Sequence, residues 1–154
     1  MGVEIERKFL VRDDTWREGA RGKAIRQGYL ALGPPVAVRV RISGAAAILN
    51  IKKAVLDIER EEFEYAIPLD DAHTLLDGLC SGAVIEKTRF EITHAGVLWE
   101  VDEFHGANAG LIVAEVELAS IDQHVVRPPW AGEEVSDDPR YLNTSLAQRP
   151  FREW

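Results

Sequence analysis

The chain has little of the chemistry that most often carries catalysis. Its one cysteine, Cys80, cannot form an internal disulfide, so the expected compartment is the reducing cytoplasm. Its histidines, His73, His94, His105 and His124, are scattered through expected helices and turns without ligand spacing, which argues against a zinc centre. No apolar run approaches the roughly 18 residues that span a bilayer. The N-terminus has no apolar stretch of signal-peptide length. There is no glycine-rich phosphate loop: Gly106 and Gly110 flank a turn and open no helix, which excludes a dinucleotide-binding fold. Positive charge is also in deficit. A net charge of −8 argues against a nucleic-acid duplex or a membrane as partner, though not against a basic pocket inside an acidic shell.

What is present is strand pattern. A chain of 154 residues suits one domain, here 1–154. Period-two alternation predicts strands over 3–11, 25–32, 36–42, 48–53, 58–67, 84–93, 97–104 and 111–118. His94-Ala95-Gly96 marks a hairpin between the sixth and seventh. After Pro68, Asp70 or Asp71 caps a short helix carrying Leu75, Leu76 and Leu79. Ser120-Ile121-Asp122-Gln123 has capping-box spacing and opens a second helix, which Arg127-Pro128-Pro129-Trp130 stops. Asp138 and Pro139 form an N-cap and first-turn pair for a last helix to about Ala147. Trp99 is expected on the outer layer under a covering helix, with Trp130 plugging a loop. The expected class is α+β, an antiparallel sheet or barrel with a few covering helices.

The strands share one unusual trait. Almost every one carries charged residues two apart, hence on one face. These are Glu4, Glu6 and Lys8; Arg39 and Arg41; Lys52, in phase with Asn50; Glu62 and Glu64; Lys87 and Arg89; Glu100 and Asp102; Glu115 and Glu117. Any single pair is most simply a solvated strand face. The set is harder to place in water, because like charges side by side repel. A barrel with these faces inward is a tunnel holding eight acids and six bases. Buried charges must be paired or bind ions. Carboxylates suit Mg²⁺ or Mn²⁺, and arginines match phosphate oxygens. A linear triphosphate with one or two divalent ions satisfies both.

In this order the motifs resemble the CYTH domain, or triphosphate tunnel metalloenzyme, superfamily. Glu4-x-Glu6-x-Lys8 opens the pattern. Arg39-x-Arg41, Lys52, Glu62-x-Glu64, Lys87-x-Arg89, Trp99-Glu100-Val101-Asp102 and Glu115-x-Glu117 follow, then Pro129-Trp130, Glu134-Val135 and Arg140-Tyr141-x-Asn143. The resemblance spans essentially the whole chain and is strongest to the short bacterial tripolyphosphatase-type members. It implies an eight-stranded antiparallel tunnel and divalent-metal-dependent hydrolysis of a triphosphate, foremost inorganic tripolyphosphate. It implies that Lys8, Arg39, Arg41, Lys52, Lys87 and Arg89 hold phosphate oxygens, with Lys8, Lys52, Lys87 and Tyr29 closest to the chemistry. Glu4, Glu6, Glu115 and Glu117 would hold a first ion, and Glu62, Glu64 and Asp102 a second that activates water. Leu49-Asn50-Ile51-Lys52 departs from the family's Leu-Thr-x-Lys, with a small expected effect on phosphate contacts.

Other readings stay open at this point. They are a class IV-type adenylate cyclase, a thiamine or nucleoside triphosphatase, a non-catalytic polyphosphate-binding module, and a calycin-like barrel for an apolar ligand. The phase of the charges disfavours the last. An uncovered tunnel wall would favour a homodimer.

Overall fold

The computed structural model describes residues 2–53 and 58–154. Among the described residues there are nine strands, eight of them alternating: β1 (Gly2–Val11), β2 (Gly22–Ala31), β3 (Val36–Ser43), β4 (Ala46–Lys53), β5 (Glu59–Ala66), β6 (Ser81–His94), β7 (Val97–Phe104), β8 (Ile112–Glu117) and the short β9 (Ala131–Glu134). Two α-helices, α1 (Leu69–Gly78) and α2 (Asn143–Gln148), accompany them. The sheet runs β5-β4-β3-β2-β6-β7-β8-β1-β9, and a further β5–β1 pairing closes eight strands into an antiparallel barrel. One edge of β1 carries β8 along Glu6 to Leu10. Its other edge is shared, with β5 against Gly2 to Ile5 and β9 against Phe9 and Val11.

Two of the three apolar clusters lie outside the barrel wall, and the third fills one end of its interior, where Ile85, Phe104 and Val113 share the face of the charged residues. Phe9, Trp99, Val101, Ala114 and Val116 point outward and meet Trp130, Val125 and Trp16. Trp99 is fully buried, 5.4 Å from the Phe9 ring and 5.8 Å from Trp130, edge-on to the latter. Its cover is thus the irregular segment that ends at Trp130, where the sequence suggested a helix. On the opposite side α1 lays Ala72 and Leu76 on Val40, Ile42 and Ala47. A third cluster seats Leu146 and Ala147 of α2 against Ile85, Phe104 and Val113.

The hairpin between β6 and β7 turns at Ala95 and Gly96, both at positive φ (50° and 76°), the geometry of a tight two-residue turn. Three local expectations are corrected. The segment from Ser120 forms turns and no helix, because the Gln123 side chain accepts from the Ala119 N–H (2.6 Å) and the prolines that follow lack donors. The stretch after Trp130 becomes β9. Asp138 caps as foreseen, accepting from the Arg140 N–H, but the turn it caps is a 3-10 turn over Pro139–Tyr141, separate from α2. At α1 the residue before the helix is Pro68, and Asp70 and Asp71 lie within the first turn, where negative charge suits the helix dipole. No helix among the described residues is long and apolar enough to cross a membrane.

Candidate active site

Beyond the apolar plug at one end, the charged faces line the barrel. They enclose a cavity of about 340 Å³. Its wall includes Glu4, Glu6 and Lys8 from β1, Tyr29 from β2, Arg39 and Arg41 from β3, and Asn50 and Lys52 from β4. Glu62 and Glu64 of β5, Arg89 of β6, Glu100 of β7, and Glu115 and Glu117 of β8 complete the ring. A second hollow of about 630 Å³ shares Arg41, Arg89 and Glu100 with the first, so these three form a waist in the barrel.

The charges are grouped by sign. Glu6 sits directly across the ladder from Glu117, and Glu115 from Glu100, contacts that repel unless a cation intervenes. Burial, then repulsion from Glu62, Glu6 and Glu100, raises the Glu117 carboxyl above its ordinary range. Burial likewise raises Glu100, against the pull of Arg89. At the waist the imbalance reverses. Burial, with Arg39 and Arg89 close by, lowers Arg41 to about 9. Its Nε donates to Gln27 Oε1 at 2.9 Å.

Internal counter-ions hold much of the rest. Lys52 Nζ lies 2.5 Å from Glu4, and Arg60 Nη2 is 2.7 Å from Glu6. Lys8 Nζ donates to the Tyr141 carbonyl at 3.0 Å and stands 3.6 Å from Glu115. Asn50 Nδ2 donates to Glu62 (2.7 Å) and Glu64 (3.1 Å), so the residue that departs from the family pattern orients carboxylates.

Two sequence-derived site residues sit off the cavity wall. Asp102 and Lys87 are 1% exposed, and Lys87 Nζ donates to Asp102 at 2.7 Å. Arg89 grips the same carboxylate through Nε (2.8 Å) and Nη2 (2.9 Å). Both Asp102 oxygens are therefore occupied by cations, which removes this residue from the accessible carboxylates. Lys87 is pushed down to about 7 by burial, against the pull of Asp102, and lies behind Arg89. Asp102, despite burial, is held below the ordinary carboxylate range by Lys87 and Arg89.

Three wall features escaped the sequence. Arg60 is buried on β5 in phase with Glu62 and Glu64, and extending that phase by one step would have found it. Gln27 is wholly buried in phase with Tyr29 and bridges Arg41 to Asn143. Leu142, Asn143 and Thr144 close one side from a segment with no strand periodicity to read.

The carboxylates on the cavity wall, Glu4, Glu6, Glu62, Glu64, Glu115 and Glu117, suit a hard divalent ion. Among the described residues, no three acidic, imidazole or thiol groups are already gathered as a metal cage.

A closed antiparallel barrel with a two-signed charged interior defines a tunnel protein for small polyanions. The chain belongs to the CYTH domain family, whose model matches residues 2–151. It is 43% identical to an inorganic triphosphatase of Acetivibrio thermocellus over 152 residues, covering 99% of this chain and 97% of that one. It is 37% identical to an inorganic triphosphatase of Nitrosomonas europaea, over 94% of this chain and 97% of the relative. A crystal structure of an inorganic triphosphatase superposes with a TM-score of 0.66 at 36% identity, covering 93% of this chain and 96% of that one.

Proposed function

We infer that this chain is an inorganic triphosphatase that hydrolyses a terminal phosphoanhydride bond of tripolyphosphate. The observation that carries the reading is the sorting of charge inside one cavity. Bases meet at the waist around Arg39, Arg41 and Arg89, and carboxylates crowd around Glu6, Glu62 and Glu117, where they outnumber the neighbouring cations Arg60 and Lys52. A linear polyanion with divalent ions supplies both missing counter-charges. The names of the two relatives support the same substrate. We take residues 1–154 as one tunnel domain.

Family membership implies a divalent-metal requirement, and the ions proposed are Mg²⁺ or Mn²⁺, two per site. Glu4, Glu6, Glu115 and Glu117 would hold one, and Glu62 and Glu64 the other. Bound there, a divalent ion neutralises phosphate charge and makes water a usable nucleophile near neutral pH. The protein's own part is positioning and electrostatics. Arg39, Arg41 and Arg89 clamp phosphate oxygens, while Lys8 and Lys52 neutralise charge at the acidic end. Tyr29, in register with Arg39, borders the reacting phosphate. Asp102 and Lys87 act through Arg89: the two bonds from Arg89 to Asp102 fix its guanidinium plane toward the cavity. Water adds to the terminal phosphorus, the bridging P–O bond breaks, pyrophosphate leaves, and a cavity carboxylate takes the water's proton.

The test is Glu6→Gln. Orthophosphate release from tripolyphosphate should fall at least about a hundredfold at saturating Mg²⁺. Activity near wild type would remove the metal assignment from this carboxylate.

A further inference from the structure

The family motifs account for six bases, and the cavity wall has two more that none of them includes, the exposed Lys53 and the buried Arg60. Arg60 is 8% exposed, faces the cavity, and lies across the ladder from Glu4. Its Nη2 binds Glu6 Oε1 at 2.7 Å. Its Nε is buried with no acceptor among the described residues, as is the Nε of Arg39. A buried donor left unpaired is costly, more so on a charged group, and buried polar groups are nearly always satisfied. Both orphans lie on side chains that line the cavity but are themselves closed to it, so a ligand supplies an acceptor only where the guanidinium moves, as that of Arg60 would on leaving Glu6. Arg39 belongs to the phosphate clamp, and Arg60 offers the same unmet valence.

Glu6 is also a proposed metal ligand, so a divalent ion and Arg60 compete for one carboxylate. We propose that Arg60 is a further phosphate-binding residue, which Glu6 retains in the metal-free protein and releases to the substrate when a divalent ion takes Glu6. The proposal rests on the triphosphatase reading. Lys52 and Glu4, 2.5 Å apart, form a parallel pair, so metal loading would turn two cations from carboxylate toward phosphate at once. Binding of metal and polyphosphate is then positively coupled, and by linkage each tightens the other.

Arg60→Met tests this by isothermal titration, with Mn²⁺ alone as one probe and tripolyphosphate in a non-hydrolysable imido form at saturating Mn²⁺ as the other, since Glu6 holds Arg60 while no ion is bound. Loss of the competing cation should tighten Mn²⁺ binding roughly fivefold. Loss of a charged donor should weaken tripolyphosphate binding about tenfold or more. Arg60→Lys, which keeps charge without the planar fork, should fall between on both axes. Unchanged binding of both probes by Arg60→Met, or weaker Mn²⁺ binding, would overturn the proposal, since the arginine would then be a fixed prop for Glu6. If Arg60→Met does not fold, the Arg60 Nε–H resonance of the wild-type protein decides. It should shift on tripolyphosphate addition, and an unmoved resonance at saturation counts against the role. Wild-type protein that binds no tripolyphosphate with or without Mn²⁺ would bring down the triphosphatase reading itself. Normal wild-type binding with an indifferent Arg60→Met removes Arg60 alone.

Discussion

Glu6 and Glu117 face each other across the β1–β8 ladder, and without a cation that contact opposes folding. Because the folded protein raises the Glu117 carboxyl, its contribution to stability is complete below the ordinary carboxylate value of about 4.3. That contribution is lost as pH rises through the folded value. In EDTA, Glu117→Gln should therefore melt higher than wild type at pH 7, with the gap closing toward pH 4, as thermal scans would record. A constant gap across that range would refute the repulsion. The same variant should lose metal-dependent activity, the usual trade between a strained site and stability. Asp102 is the opposite case, a carboxylate that two cations require. Asp102→Asn leaves Lys87 buried beside a neutral partner and should cost about 3–5 kcal/mol in urea unfolding. Adding Lys87→Met should recover part of that loss, and a double-mutant cycle without coupling would contradict the pairing.

Between elements, one tight constraint is where α1 and the turn after it rest on β2. A Cβ at Gly28 would stand 2.6 Å from Cys80 Sγ and 3.1 Å from Leu76 Cδ2. Gly28→Ala should thus cost about 1–3 kcal/mol by overpacking, and Cys80→Ala should relieve some of it. Equal destabilisation with and without Cys80→Ala would show that the strain lies elsewhere. On the other side of the barrel, Trp99→Ala should cost about 3–5 kcal/mol, since it empties the space between Phe9 and Trp130. Elements of this kind are also where the sequence was most and least readable. The eight barrel strands were legible because one face is apolar and the other charged, so period two is strong in both signals. β9 was not, because its four residues Ala131–Glu134 carry no alternation and pair only with the far end of β1. The segment from Ser120 offered capping-box spacing, but a side-chain bond from Gln123 to the backbone is satisfied equally well by a turn.

For the whole molecule, the phase of charged pairs gave the tunnel and most of its wall before any coordinates. It could not give depth. Lys87 and Arg89 are in phase on β6, yet Lys87 is fully buried beside the apolar plug of Ile85 and Phe104 while Arg89 lines the cavity. Nor could it show that the segment around Tyr141 and Asn143 reaches Lys8 and Gln27, contacts made across more than a hundred residues of chain. The function proposed for this cavity is hydrolysis of a triphosphate with the help of a divalent ion. The most direct measurement is phosphate release from tripolyphosphate, ATP and thiamine triphosphate, each with EDTA, Mg²⁺ or Mn²⁺, with Arg39→Met as control. The account predicts one orthophosphate and one pyrophosphate per tripolyphosphate with either ion and none in EDTA. Tripolyphosphate should be the preferred substrate, with a loss of about a hundredfold or more in Arg39→Met. Tight tripolyphosphate binding with no release under any metal, or cyclic AMP and pyrophosphate from ATP as the main products, would contradict it.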